Sequence, residues 1–445
     1  MSDIALGAIL GIYMRIFQTK NIYYGWFILA ACFFATLISG GVRSSFGVFV
    51  IPMEQEFNWT RDTISFALAI GVFCNALSTP IIGWIYDSRP DGGKTVITLS
   101  LLVLGAATIL LSLTSNIVFL IIVYGFLIST AGTGVGFVTI HALIARWFNR
   151  KRGFALSVSS AGVSIGSVLF APFASYLILL GGWRLSWVVL GAFILFLAFP
   201  LALIILRNNP RDVGQHDNQE LQNVDTSKST DGSDLKTFSS LSNASWREIL
   251  KSLPIWQLSI AYFVCGTTTT MMAVHYVPFA IDRGMNPGNA ALAFGFMMGI
   301  NGLGVVAIGF VSDLMQRKNL LAITYSVRGL AYGSLLVFDE MLGIWVFAFV
   351  AGLSWIASAS LTSSIAADIY GLKKMGTIVG IMTFAHQIGG AIAIYLTGFL
   401  FEKTGGYELP FSIAGSLLIL AALCSVTVSE RKLSERYQYS PSEMS

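Results

Sequence analysis

The stretch GWIYDSRPDGGK, residues 83–94, and its partner GFVSDLMQRK, residues 309–318, decide the fold of this chain. Both follow a long apolar run, and both read Gly-x-x-x-Asp and then base, at Gly83/Asp87 and Gly309/Asp313. Two further landmarks repeat at nearly the same offset. RWFNRKRG (146–153) pairs with DIYGLKKMG (368–376), setting Gly153 against Gly376, and GGWR (181–184) pairs with GGYE (405–408). Landmarks 223 to 226 residues apart describe a duplicated unit of the parallel-repeat type.

Outward from these landmarks the chain is composed for lipid. Its 445 residues are 55% hydrophobic and 11% charged, with a mean hydropathy of +0.73, which leaves too little polar surface for a soluble protein. Crossing about 30 Å of hydrocarbon takes about 20 mostly apolar helical residues. Twelve such runs are predicted, at 24–53, 63–86, 95–114, 117–143, 153–180, 184–206, 254–281, 288–312, 319–338, 341–367, 375–401 and 409–428. Beyond Pro52 the first is expected to have become loop. The fold class is therefore an all-α membrane protein, with twelve transmembrane helices arranged as two pseudo-repeated six-helix bundles.

The expected bundles cover 21–206 and 254–430, joined by a linker at 207–253 and followed by a tail at 431–445. Residues 1–20 hold an apolar run, Ile4 to Phe17, too short to span and with Arg15 and Lys20 on the wrong side for a secretory signal. An interfacial or disordered segment is expected there. The linker is too polar to bury a core, but its end, SWREILKSL (245–253), spaces Trp246, Ile249, Leu250 and Leu253 as a short helix lying on the membrane surface. Cys32, Cys74, Cys265 and Cys424 all fall inside spans without metal-type spacing, and read as small core residues.

Basic loops resist translocation. With both termini placed in the cytoplasm, 21 of the 27 Lys and Arg lie on the cytoplasmic side, so a plasma or inner membrane location is expected. The net charge of +4 is then a topology signal rather than a nucleic-acid signal.

These residues resemble the major facilitator superfamily across the chain outside its tails and linker. The loop at 83–94 looks like that superfamily's G-x-x-x-D-R-x-G-R-[RK] loop, with Ser88 where Arg is usual and Arg89 displaced by one. YYGWFIL (23–29), SSFGVFVIPMEQEFNW (44–59), RWFNRKRGFALSVSSAG (146–162), NPRDVG (209–214), HYVPFAIDRG (275–284) and AHQIGGA (385–391) are similar to its monocarboxylate-transporter-like and oxalate/formate-exchanger-like branches. The resemblance implies a secondary transporter working by alternating access, with Asp87 and Asp313 in cytoplasmic belts that latch one access state. The same carboxylates also read as plain topology determinants.

Intramembrane charge marks a function or a buried pair. Two such groups occur mid-span, Arg43 and Arg328, and no Asp or Glu lies mid-span. A planar, permanently charged fork at Arg43 suits bidentate capture of a carboxylate, and the resemblance places it within one position of a basic residue that handles substrate in the monocarboxylate branch. The bland alternative is an arginine reaching the outer interface. Arg328 reads either as a structural anchor or as a gating or binding charge, with no acidic partner at its depth. Thr268 and His275 share a stripe on the seventh span; His386 lies beside Gln387 on the eleventh. All four are candidate polar lining, the histidines also as carriers of a coupling proton, against a packing reading for each. His141 ranks below them.

The expected function is transport of a small organic anion, a monocarboxylate in the first instance, with the bilayer and possible coupling protons as partners and no nucleic acid. The acid/base pair of animal monocarboxylate carriers is missing from the eighth span, where Asn301 and Val305 stand, and so are the basic residues of oxalate exchangers. Rival readings are proton-linked export of amphipathic drugs and a non-transporting anion sensor. No cofactor or metal is called for, and no nucleophile–base or metal-ligand constellation supports an enzyme.

Overall fold

The computed structural model describes residues 23–215, 241, 244–338 and 340–433. The N-terminal segment 1–20, most of the linker and the tail beyond 433 lie outside the described residues.

Membrane-length helices follow one another as α1 (Gly25–Phe57), α2 (Arg61–Ser88), α3 (Gly92–Leu113) and α4 (Ile117–Trp147), then a 54-residue stretch, Arg152–Ile205. That stretch holds two helices, α5 (152–180) and α6 (183–205), because Gly181 and Gly182 leave helical geometry and Gly182 takes φ +81°, where a side chain would be strained. Next come α7 (Leu253–Asp282), α8 (Pro287–Leu314), α9 (Arg317–Val337), α10 (Met341–Tyr370), α11 (Met375–Thr404) and α12 (Glu408–Val426). The twelve spans lie where hydropathy puts them, with ends shifted by up to about four residues. Exposed side chains such as Phe196, Leu330 and Tyr395 face outward, as expected of helices dissolved in lipid.

One boundary corrects the sequence reading. Helix continues through Pro52: a tight turn at Ser45–Phe49 restarts as Val50–Phe57, putting the proline in a first turn, where its missing N–H costs nothing. The linker's last residues do form a helix, Trp246–Lys251, with a capping box between Ser245 and Glu248. Ile249 is buried, while Leu250 and Leu253 stay exposed.

Small residues let backbones approach. Helix α1 packs on α5 and α7 on α11; across the two sets of six, α2 packs on α11 and α5 on α8. A Cβ on Gly41 would sit 2.7 Å from the Gly166 carbonyl oxygen, and one on Gly376 would sit 2.8 Å from that of Gly83.

Through the Gly83–Gly376 approach, the Asp87 carboxylate accepts hydrogen bonds from the Gly376 and Thr377 amides, at 3.0 and 2.6 Å, and from the Thr377 hydroxyl at 2.7 Å. The repeat supplies a counterpart, with Asp313 accepting from the Gly153 and Phe154 amides, both at 2.9 Å. In each case a carboxylate from one half satisfies orphan amides at a helix start in the other. Arg152 pairs with Asp368 at 2.6 Å, and Arg317 joins Asp368 to Asp313. Deeper in, buried His141 bridges Ser160 and Ser363 at 3.0 and 2.8 Å, and Ser160 meets Ser360 at 2.9 Å. Among the described residues, the hydrogen bonds between the halves run from this basic end inward to Asn75 and Asn301.

The chain leaving each half closes the same end. Asn208 accepts from the Lys94 amide at 2.8 Å and Glu430 from the Lys318 amide at 2.8 Å, so each caps the start of its half's third helix. Burial pushes the Glu430 carboxyl above its ordinary value, against the pull of the amide donors.

Two outcomes are expected. Gly41→Val should lower stability by ~1–3 kcal/mol, read as a lower Tm of the purified protein, and an unchanged Tm would mean a looser crossing. Ser160→Cys with Ser360→Cys should cross-link under mild oxidation. Adding Asp87→Asn and Asp313→Asn should slow this, because charged hydrogen bonds worth roughly 1.5–3 kcal/mol each are weakened; an unchanged rate would remove the latch.

Candidate functional site

Two helices break near mid-span, and each break leaves backbone groups that must find partners in hydrocarbon. Helix α4 breaks at Val135 and Gly136, after Ser129–Gly134 and before Phe137. Helix α10 breaks at Trp355 and Ile356, between Ser354 and Ala357. The two breaks are related by the repeat.

Side chains around them decide what is free to meet a solute. At the α4 break the Thr139 hydroxyl donates to Gly134 O at 2.8 Å, and the Asn75 amide of α2 donates to Ser129 O at 2.9 Å and to the Thr133 hydroxyl at 2.8 Å. At the α10 break Asn301 of α8 accepts from the Ile356 amide at 3.1 Å and donates to Ser164 of α5 at 3.3 Å. Asn75 in turn accepts from Gln387 of α11. Asn75 and Asn301 are 226 residues apart, the offset of Gly83 and Gly309, so both asparagines hold a helix break on one side and the opposite half on the other. Sequence reading missed Asn75. The signal is in the repeat: its 226-residue offset, subtracted from Asn301, gives position 75.

Arg43 lies against this network. Its guanidinium packs on Gly132, where a Cβ would sit 2.9 Å from Nη1, and the next residue is the Thr133 held by Asn75. It is half-buried, and has no hydrogen-bond or ion-pair partner among the described residues. One turn further, Gly47 has nothing within 4 Å of a Cβ position. An unpaired guanidinium beside open space and a polar network is equipped to bind an anion.

Gln387, His386 and Thr383 extend the network along α11. The Thr383 hydroxyl is buried without a hydrogen-bond partner among the described residues, and the half-buried His386 ring stands 4.7 Å from that of Tyr262. The other predicted lining residues sit apart. Thr268 is fully buried, its hydroxyl bonded to the Val264 and Cys265 carbonyls of its own helix, while its backbone carbonyl accepts from Tyr332 of α9. Its neighbours Thr267 and Thr269 likewise bond their own helix. His275 is half-buried, 3.4 Å from the Ile394 carbonyl oxygen of α11.

Arg328 takes the place of an uncharged cap. Fully buried, it donates to the Ser354 and Trp355 carbonyls freed by the α10 break, to Ser358 at 3.4 Å and to Cys265 Sγ at 3.3 Å. Leaving such carbonyls unpaired would cost about 1–3 kcal/mol each, which gives this arginine a structural task. Cys265 is thereby more than the core filler expected of it. Asp368, also missed by sequence reading, holds two arginines at the basic end, a role visible only once α5, α9 and α10 converge.

Comparison with known proteins accords with this architecture. Residues 32–394 match the family model described as Major Facilitator Superfamily. The MFS-type transporter YcxA of Bacillus subtilis (strain 168), itself uncharacterised, is 26% identical over 91% of this chain and 92% of its own length. Monocarboxylate transporter 12 of Rattus norvegicus is 23% identical, covering 90% and 84%. Of solved structures, the E. coli fucose:proton symporter FucP aligns with a TM-score of 0.65 at 16% identity, over 90% of this chain and 98% of that one. The proton:xylose symporter XylE aligns at 0.69 and 14%, over 91% and 95%. With a family match over most of its length and twelve membrane helices in the arrangement of those symporters, this chain belongs to the Major Facilitator Superfamily of transporters.

Proposed function

We propose that this transporter carries a small organic anion, a monocarboxylate, and that Arg43 is its charge anchor. The observation that carries the reading is the guanidinium of Arg43, placed within the membrane with no partner among the described residues and open space one turn away. A buried or half-buried cation is costly unless something compensates it, and a substrate carboxylate would do so with two parallel hydrogen bonds. Gln387, His386 and Thr383 supply neutral polar groups for the remainder of a small solute. The similarity to monocarboxylate transporters supports the substrate class.

The basic end is read as cytoplasmic, in a plasma or inner membrane, with α1–α6 and α7–α12 as the bodies that rock. The conformation described is then closed toward the cytoplasm. Opening requires release of the Asp87 and Asp313 contacts and of the Asn75–Gln387 and Asn301–Ser164 pairs. A substrate bridging Arg43 and Gln387 would compete with Asn75 for the carboxamide of Gln387, which gives binding a route to the gate.

Uptake of radiolabelled lactate, pyruvate, formate, oxalate and neutral analogues into proteoliposomes tests this. Saturable uptake of a monocarboxylate is expected, falling ~10-fold or more in Arg43→Ala for a lost pairing of roughly 1.5–3 kcal/mol and less in Arg43→Lys. Transport of a neutral or cationic solute, unchanged by either substitution, would overturn the anion reading.

A further inference from the structure

The second intramembrane arginine poses a separate question of charge. Arg328 is fully buried, and none of its partners among the described residues is a carboxylate. Carbonyl oxygens, the Ser358 hydroxyl and the faces of Tyr325 and Trp355, 5.8 and 5.6 Å away, stabilise a guanidinium without neutralising it. One acidic group does touch it. Cys265 Sγ of α7 lies 3.3 Å from Arg328 Nη1, which donates to it, and 3.1 Å from Ser358 Oγ, so the sulfur is the acceptor of a charged donor in a fully buried site.

Every element packed around that sulfur can be inspected for rivals. Helix α9 presents Arg328, Tyr325 and Tyr332; α7 presents Tyr262; α10 presents Ser358; α11 presents His386. The phenols are intrinsically weaker acids than a thiol, so the sulfur is where a negative charge is least costly beside the guanidinium. Helix α11 comes this close because Gly266, next to Cys265, has no Cβ to meet the His386 backbone.

We propose that Cys265 is a thiolate serving as counter-ion to Arg328, and that its sulfur is a proton-binding site at the edge of the central polar network. The balance is simple: a proton taken up resides on the sulfur, forming an S–H bond, and no other bond changes. Unprotonated, the pair of Arg328 and Cys265 is neutral; protonated, it carries one positive charge. Protonation therefore favours a monoanion nearby, and a bound monoanion favours protonation by the same factor, which is the linkage a proton–anion symporter needs. This second step rests on the anion reading above, whereas the thiolate does not.

Infrared spectroscopy of the S–H stretch tests the charge state without reference to transport. In protein carrying Cys32→Ala, Cys74→Ala and Cys424→Ala, no S–H band is expected at neutral pH, and one should appear on acidification. Should that variant not fold, the difference spectrum between the unmodified protein and Cys265→Asp gives the same answer. A full S–H band for Cys265 at neutral pH would overturn the proposal. For the coupling step, Cys265→Asp keeps a counter-ion but titrates lower, so the alkaline decline of proteoliposome uptake should move to lower pH. An unchanged pH profile with the thiolate confirmed would overturn the coupling alone, and leave both the counter-ion and the anion reading in place.

Discussion

The closed end of this molecule depends on carboxylates meeting the bare starts of helices. The first amides of α5 and α11 have no partners of their own, and Asp313 and Asp87 supply them from the opposite half. Neither contact could form at ordinary helix separation. Gly83 and Gly376, and Gly153 and Gly309, bring the backbones close enough for a short Asp side chain to reach. The Gly-x-x-x-Asp pattern is thus one device: the glycine sets the approach, and the aspartate one turn on uses it.

Behind that device the halves solve the same backbone problem differently. Each has a broken helix near mid-span whose freed groups need partners, and each assigns an asparagine to part of the task. The first half completes it with the neutral hydroxyl of Thr139, whereas the second uses the guanidinium of Arg328. A charge is a costly cap in hydrocarbon. Its presence obliges the surrounding helices to hold a compensating group, which ties the stability of the α10 break to the chemistry at Cys265. In the first half, the mid-membrane charge is Arg43, which has no hydrogen-bond or ion-pair partner among the described residues.

Much of this was legible in the sequence. Twelve spans, the duplication and the Gly-Asp landmarks follow from hydropathy and spacing, because lipid forces every span into a helix of predictable length. Arg43 and Arg328 stood out because a charge in an apolar run is costly and therefore rare. The partners did not stand out. Asn75, Asp368 and Cys265 are ordinary in their own stretches, and acquire meaning only from which way each faces across a break or between three helices. Thr268 shows the converse: its stripe is real, but its hydroxyl is buried against the carbonyls of its own helix. Periodicity gives a helix its faces without saying which neighbour each face meets, and the breaks at Val135 and Trp355 rotate the faces midway. Pro52 failed as a helix terminator for a local reason, since the preceding tight turn restarted the helix just before it.

Two carboxylate-to-amide contacts join the halves at the basic end, and they are expected to hold that end shut. Pulsed-dipolar distance measurements in lipid test it most directly, with one spin-label pair at Arg150 and Lys373 on the basic end and another at Ser115 and Lys403 on the opposite end. The account predicts that Asp87→Asn with Asp313→Asn lengthens the first distance and shortens the second together. Distances that stay unchanged, or that change at one end alone, would contradict it.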